Sequence, residues 1–203
     1  MFDYSNEDYQ KLAQKHGMAG YGNVEALARS FCRGRIVELG CGKTPLFDGI
    51  RTDIVPDAGL SIKKVDCNSP LPWSDGSFDT VVAIELIEHL NDHETFLHEC
   101  NRILREGGRL FLTTPNMDYW KIRLAKLKGD TVKYRRLCGF DTGEHQHVFT
   151  NVEIRRALED AGFAVKQRSQ GRIPFVSLAG GTINLAIKND DQYQEREPTE
   201  GKE

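Results

Sequence analysis

The fold is decided by Arg35-Ile36-Val37-Glu38-Leu39-Gly40-Cys41-Gly42. The short apolar run 36–39 is typical of a buried parallel strand. It is closed by two glycines, which let the backbone turn sharply and approach a ligand because they carry no Cβ. Ligands of open α/β sheets bind outside the carboxyl ends of the strands, where this turn would lie. The stretch therefore predicts a ligand-binding turn, with an ordinary strand-to-loop turn as the alternative.

The rest of the chain alternates short strands with helices. Six further strands are predicted, around residues 50–55, 61–65, 78–84, 109–113, 163–167 and 183–187. One helix is predicted to be capped by Asp92 and ended by Gly107-Gly108, and another to begin at Thr150 or Asn151. This order predicts an α/β fold. The span from Gly42 to the second strand is too short for a full crossover helix, so we expect a shortened first crossover.

The length of 203 residues suits one domain with flanking segments. Residues 1–34 are predicted to form an N-terminal helical cover in two pieces, the second capped by Asn23 and ended by Gly34. The glycine-rich link near Tyr21 either joins these pieces or acts as a lid over a ligand. Residues 35–188 form the main domain, and the acid-rich residues 189–203 are predicted to be a disordered tail because they lack apolar periodicity.

Composition excludes several classes of protein. The net charge of −3 gives no global reason to expect a nucleic-acid or membrane partner, and no apolar stretch approaches the ~20 residues that span a bilayer. The polar, acidic start is unlike a signal peptide. The five cysteines are scattered and contain no C-x-x-C pair, which argues against a disulfide framework or a cysteine zinc site and favours a cytoplasmic location.

Several further motifs accompany the glycine turn. They are Leu71-Pro72-Trp73, Ser77-Phe78-Asp79, Glu85-Leu86-Ile87-Glu88-His89-Leu90, Arg102-Ile103-Leu104-Arg105-Glu106-Gly107-Gly108, Thr114-Pro115-Asn116, His147-Val148-Phe149-Thr150 and Ala161-Gly162-Phe163. With them the chain resembles the class I S-adenosylmethionine-dependent methyltransferases, especially the small-domain type 11 group that includes ubiquinone-biosynthesis enzymes. The resemblance implies a Rossmann-like seven-stranded sheet, mostly parallel with an antiparallel last strand, and helices on both faces.

The resemblance implies S-adenosylmethionine as the cofactor and S-adenosylhomocysteine as its product. A dinucleotide is disfavoured, because Pro45 stands where the dinucleotide fingerprint has its third glycine. The glycine turn is expected to supply backbone donors and room for the methionine end, and acidic Glu38 is expected beneath it. Asp53 is expected to accept hydrogen bonds from both ribose hydroxyls. Asp66 is expected to accept from the adenine amino group, with the Cys67 main-chain N–H beside it. Turn formation is the alternative for both Asp53 and Asp66. The full predicted cofactor set is Glu38, Gly40, Cys41, Gly42, Asp53, Asp66 and Cys67, with Ile84 and Glu85 at the end of the fourth strand.

Methyl transfer to a hydroxyl or an acidic carbon is helped by a general base, and histidine suits proton transfer near neutral pH. The candidates are His147, His145 and His89, with His147 placed near the substrate pocket by the resemblance. The alternative for His89 and Glu88 is that local hydrogen bonds satisfy them as residues of a first helical turn.

Three interpretations of function stay open. The first is an enzyme acting on oxygen, nitrogen or activated carbon of a small or carrier-linked acceptor. The second joins Glu85, Glu88 and His89 to a later histidine, an arrangement that resembles the magnesium site of small-RNA 3′-terminal 2′-O-methyltransferases. The third is a non-catalytic protein that keeps the cofactor fold. The basic run 121–136 suits phosphates, an anionic carrier or a solvated helix face, and the absence of a recognisable RNA-binding module favours a small acceptor.

Overall fold

The computed structural model describes residues 21–118, 120–138, 140, 145–169 and 181–189. The first predicted helical piece, before residue 21, and the predicted tail from residue 190 lie outside these residues. The helices are α1 (Tyr21–Phe31), α2 (His93–Ile103), α3 (Trp120–Leu127), α4 (Thr131–Leu137) and α5 (Asn151–Asp160), with a 3-10 turn at Ile87–His89. The strands are β1 (Ile36–Leu39), β2 (Ile50–Asp53), β3 (Ile62–Lys64), β4 (Phe78–Ile84), β5 (Leu104–Pro115), β6 (Phe163–Ser169) and β7 (Gly181–Lys188).

The seven strands form one sheet in the order β3-β2-β1-β4-β5-β7-β6. The pairs among β1 to β5 are parallel, whereas β7 is antiparallel to both β5 and β6. The predicted seven-stranded sheet with an antiparallel last strand is therefore confirmed. The order places the carboxyl ends of β2, β1 and β4 side by side, and this edge carries the glycine turn.

Strand β4 shows how both faces of the sheet are covered. Successive side chains of a strand point to opposite faces: Val81 and Ala83 join the core that includes α2 and α5, whereas Val82 joins the core beneath α1. Full burial of one such side chain contributes about 1.5–3 kcal/mol. Helices on both faces are therefore required by the strand's apolar residues.

The first crossover has no helix. The described segment between β1 and β2, residues 40–49, is irregular, as the shortened span predicts. Phe47 is buried in this segment and, with Leu46, packs in the same core as Ala28 of α1 and Phe111 of β5. A loop thus supplies the cover that a crossover helix would otherwise give.

Two predicted helix caps are confirmed. The Asp92 side chain accepts a hydrogen bond from the Thr95 main-chain N–H and precedes α2. Thr150 forms a capping box with Glu153 at the start of α5, an arrangement that contributes about 1 kcal/mol to helix stability.

Other predicted boundaries are wrong. Helix α1 begins at Tyr21, so Asn23 lies inside it and cannot be its cap. Helix α2 ends at Ile103, and Gly107-Gly108 lie within β5, because buried Leu104 already pairs with Phe78 of β4. The motif residues 85–90 were expected to turn into a helix after β4, but only Ile87–His89 are helical.

The apolar residues of 120–127 predict α3, but α4 was not predicted, since the sequence after Leu127 shows basic residues without a clear apolar period. None of the described helices is both long enough and apolar enough to span a membrane.

Candidate cofactor and acceptor site

The turn after β1 is built from two residues with left-handed backbone. Gly40 has φ +63° and Gly42 has φ +56°, a region that other residues adopt only at a cost. The Cys41 N–H donates to the Thr52 carbonyl over 3.0 Å, and the Gly42 N–H donates to Asp53 Oδ2 over 3.0 Å. Both donors are therefore engaged with β2, and they hold the turn against the end of that strand.

Glu38 lies beneath the loop that follows the turn. Its carboxylate is 4% exposed and accepts hydrogen bonds from the main-chain N–H groups of Leu46, over 2.9 Å, and Phe47, over 3.3 Å. Burial raises the pKa of this carboxyl to about 6, although the two backbone donors oppose the shift. Glu38 thus fixes the far half of the irregular first crossover.

Asp53 ends β2 and is buried. Its Oδ2 accepts a hydrogen bond from the Gly42 N–H, and its Oδ1 accepts one from the Val55 N–H over 2.9 Å. Asp53 therefore has the turn-forming role that was the alternative prediction from the sequence. An ionised carboxylate has about four acceptor positions. The two positions beyond these contacts match the two hydroxyls of a ribose, so the turn role and the binding role are compatible.

Asp66 follows β3 and is exposed. Its Oδ1 accepts from the Asn68 N–H over 2.9 Å, which is again turn formation. The Val65 N–H donates to the Asp53 carbonyl over 2.9 Å, so the segment that carries Asp66 is tied directly to the end of β2. This tie places both predicted carboxylates on neighbouring strand ends, as an adenosine lying across them would need.

The two cysteines of the predicted set are neutral thiols. Burial raises the pKa of Cys41 to about 12, and the nearby Glu38 carboxylate adds to the shift. Burial also raises the pKa of Cys67 to about 12, with Asp66 adding to it. Because the thiolate is the nucleophilic form of cysteine, neither side chain competes for a methyl group at neutral pH.

The end of β4 closes over the glycine turn. Ile84 packs with the core beneath α1, and Glu85, at φ +48°, accepts a hydrogen bond at Oε1 from the Thr113 hydroxyl over 2.7 Å. Burial raises the pKa of Glu85. A Cβ added to Gly40 would lie 2.7 Å from Leu86 Cδ1, so any other residue at this left-handed position would also require the Leu86 side chain to move.

A cluster of possible ligands and bases follows directly. Glu88 is fully buried, which raises the pKa of its carboxyl well above the ordinary value, and neighbouring Glu85 raises it further. The rings of His89 and His145 meet edge to face with their centroids 4.9 Å apart. His145 Nδ1 lies 2.8 Å from the Cys138 carbonyl. The magnesium-site interpretation joined His89 to a later histidine, and the structure shows that this histidine is His145, while Glu85 is not part of the group formed by Glu88, His89 and His145.

His147 belongs to a separate group. Its Nε2 lies 3.3 Å from the Asn91 carbonyl, and its ring centroid is 4.7 Å from that of His93, which in turn packs on Phe149. Burial lowers the pKa of His93, and His147 lowers it further. The three predicted histidines therefore fall into two groups, His89 with His145 and His147 with His93. The main chain links the groups, because the His147 N–H donates to the Glu88 carbonyl over 3.0 Å. Sequence analysis did not single out His93.

A groove of about 440 Å³ opens beside the end of β5. Apolar side chains line it together with two cations of the basic run. The lining residues are Met117, Asp118, Ile122, Arg123, Lys126, Leu127 and Thr150. The sequence signal for this groove was the basic run alone, because its walls come from the segment after β5, from α3 and from the residue that caps α5.

Comparison with known proteins identifies the family. A family model described as "Methyltransferase domain" matches residues 22–168. A probable S-adenosylmethionine-dependent methyltransferase of Mycolicibacterium smegmatis is 28% identical over 157 residues, which cover 66% of this chain and 54% of that protein. A ubiquinone biosynthesis O-methyltransferase of Chelativorans sp. is 27% identical over 173 residues, which cover 74% of this chain and 67% of that protein. The chain thus spans little more than half of the first relative.

A solved structure from Thermotoga maritima, described as a methyltransferase dependent on S-adenosylmethionine and possible histamine N-methyltransferase, has the same fold. Its TM-score is 0.62 at 21% identity, with 90% of this chain and 95% of that chain covered. Asp53 and Asp66 keep carboxylate acceptor positions beyond their main-chain contacts, and such positions suit the hydroxyl and amino donors of an adenosine. The chain therefore belongs to the methyltransferase-domain family, and its cofactor is S-adenosylmethionine.

Proposed function

We propose that this chain transfers the methyl group of S-adenosylmethionine to a hydroxyl oxygen of a small or carrier-linked acceptor. The observation that carries the proposal is that the glycine turn, Asp53 and Asp66 follow three adjacent strands, β1, β2 and β3, while His89 follows β4 on the other side of β1. The name of the Chelativorans relative, an O-methyltransferase, supports oxygen as the accepting atom.

The proposed cofactor contacts are distributed over the carboxyl ends of adjacent strands. The methionine end is proposed to lie against the main-chain carbonyls of the turn, which suit its ammonium group, since the Cys41 and Gly42 N–H groups are already engaged with β2. Asp53 accepts from the ribose hydroxyls, and Asp66 from the adenine amino group. The bound cofactor supplies a methyl carbon activated by the adjoining sulfonium, so the protein's task is alignment and removal of the acceptor's proton.

His147 is the proposed general base. Its Nε2 faces the Asn91 carbonyl, a contact that assigns the proton to Nε2 and the lone pair to Nδ1. The groove that Thr150 helps to line is mainly apolar, with two cations, Arg123 and Lys126, and one carboxylate, Asp118. This lining suits an apolar acceptor with an anionic group or carrier. His89 and His145 are the other candidates for the base.

The test is transfer of a labelled methyl group to a panel of phenols, alcohols, amines and RNA 3′ ends. Label in hydroxyl acceptors, falling about 100-fold or more in His147→Gln, is expected because a general base contributes about 10²–10⁴-fold. His98→Gln is the matched control, since exposed His98 lies on α2. Label confined to amines or RNA ends would contradict the proposed acceptor. Cofactor binding without turnover on any acceptor would favour the non-catalytic interpretation.

A further inference from the structure

One buried carboxylate oxygen lacks a partner. Among the described residues, Glu88 Oε1 is inaccessible to solvent and accepts no hydrogen bond, while Oε2 accepts from the Thr114 hydroxyl over 3.2 Å. Buried carboxylates are normally paired, fully hydrogen-bonded or bound to a metal. The unsatisfied Glu88 Oε1 therefore indicates that a ligand binds here, in the 3-10 turn that follows β4.

Two imidazoles meet that carboxylate. Glu88, His89 and His145 each offer a ligand atom, and these atoms lie within 4.8 Å of one another. Metal–nitrogen bonds of about 2.0–2.1 Å put tetrahedral ligand atoms about 3.4 Å apart, so small side-chain rotations would close the set around one ion. The 3-10 turn fixes two members, and the Gln146 N–H, donating to the Glu88 carbonyl over 2.7 Å, fixes the segment that carries the third.

The surroundings of His145 match those of a metal-binding histidine. Its Nδ1 lies 2.8 Å from the Cys138 carbonyl, and donation of the Nδ1 proton to that oxygen places the lone pair on Nε2. Metal-bound histidines generally donate their other ring N–H to a carbonyl or carboxylate in this way, which fixes the tautomer and the ring orientation. The Cys138 carbonyl at the end of α4 thus fixes the His145 ring in the tautomer and orientation that a metal ligand needs.

We infer that Glu88, His89 and His145 bind one divalent first-row transition-metal cation. Magnesium prefers an all-oxygen octahedral set, whereas two imidazoles and one carboxylate suit zinc, cobalt or iron. Three protein ligands leave a coordination position open. If the proposed function holds, an acceptor oxygen is the natural occupant of that position, but the cation site itself does not depend on that function.

Direct metal titration tests the inference without any methyl acceptor. The chain, stripped of metal with a chelator and dialysed, is titrated with Co²⁺, Zn²⁺ and Mg²⁺ by calorimetry, and Co²⁺ binding is also followed by its visible absorption. We expect one equivalent of Co²⁺ or Zn²⁺ to bind, with Mg²⁺ binding at least tenfold more weakly. Glu88→Gln and His145→Ala are each expected to weaken Zn²⁺ binding by more than about 100-fold, because even loss of an outer partner costs about 10–100-fold.

His98→Ala is the matched histidine control and should bind Zn²⁺ like the parent chain. Circular dichroism of each variant separates loss of a ligand from loss of folding, and His89→Ala serves if either of the other variants fails to fold. Binding of less than a tenth of an equivalent, or equal binding by Mg²⁺, would overturn the site. A thiolate-to-cobalt charge-transfer band that persists in folded variants would also overturn it, because the ion would then be held by cysteine.

Discussion

Asp53 carries two tasks at the scale of a single residue. It holds the glycine turn through Gly42 and the following turn through Val55, and it is the proposed ribose ligand. A substitution therefore removes both a tie within the protein and a contact with the cofactor. A comparison with another turn-forming aspartate separates these two effects.

We expect Asp53→Ala to weaken binding of S-adenosylhomocysteine by at least about 2 kcal/mol, or about 30-fold, since charge-assisted hydrogen bonds are the stronger class. Isothermal calorimetry measures the change. Asp57→Ala is the control, because Asp57 caps only the neighbouring turn by accepting from the Leu60 N–H. An unchanged affinity in folded Asp53→Ala would refute the ribose assignment.

Glu38 gives the stability of the fold a defined pH dependence. Its folded pKa, about 6, lies above the ordinary glutamate value of 4.5, so the folded state binds the proton more tightly than the unfolded state. Its contribution to stability is therefore full below pH 4.5 and is lost as the pH rises through 6. Relative to Glu38→Gln, the parent chain should lose about 2 kcal/mol of unfolding free energy between pH 4 and pH 7.5.

Urea denaturation of both chains at the two pH values measures this loss. The Gln side chain keeps an oxygen acceptor for Leu46 and Phe47 but does not titrate, so other groups cancel in the difference. A constant difference across the range would show that Glu38 does not titrate in this window.

The glycine turn depends on more than one structural element, since its shape is set by two strand ends and Leu86. Gly40→Ala should destabilise the fold by more than the cost of left-handed backbone alone, about 1–2 kcal/mol, because the new Cβ would lie 2.7 Å from Leu86 Cδ1. Urea denaturation measures the stability, and calorimetry should show weaker binding of S-adenosylhomocysteine.

Gly107→Ala is a control matched in backbone conformation. Gly107 has φ +66°, and its added Cβ would meet nothing within 4 Å. Its variant should show the backbone cost alone and unchanged cofactor affinity. If both variants lose equal stability, Leu86 is not the constraint on the turn.

The whole molecule should be stabilised by its cofactor product, because ligand that binds only the folded state shifts the unfolding equilibrium. At about 100 times the dissociation constant, S-adenosylhomocysteine should add about 2.7 kcal/mol, which raises the melting temperature by roughly 5–10 °C for a chain of this size. Differential scanning calorimetry checks this shift. NAD at the same concentration should give none, and an equal shift with NAD would revive the dinucleotide interpretation.

Much of the fold could be predicted because it depends on local patterns. Strand β4 was placed at its observed ends, since a buried run between turn signals has few other conformations. The caps Asp92 and Thr150 were placed because capping is local chemistry. The boundary between α2 and β5 was not, because strand pairing overrides the glycines that would otherwise end a helix.

Sequence patterns alone predict the α/β class, the shortened first crossover, the resemblance to the methyltransferase family and the carboxylates at the strand ends. These follow from apolar periodicity, glycine position and motif spacing, which are properties of neighbouring residues. Only the tertiary structure decided that Glu38 holds Leu46 and Phe47, and that His145 meets His89 while His147 meets His93. Such pairings form between segments that are distant in sequence and meet at the carboxyl ends of the strands. Their relative positions are fixed only when the core packs.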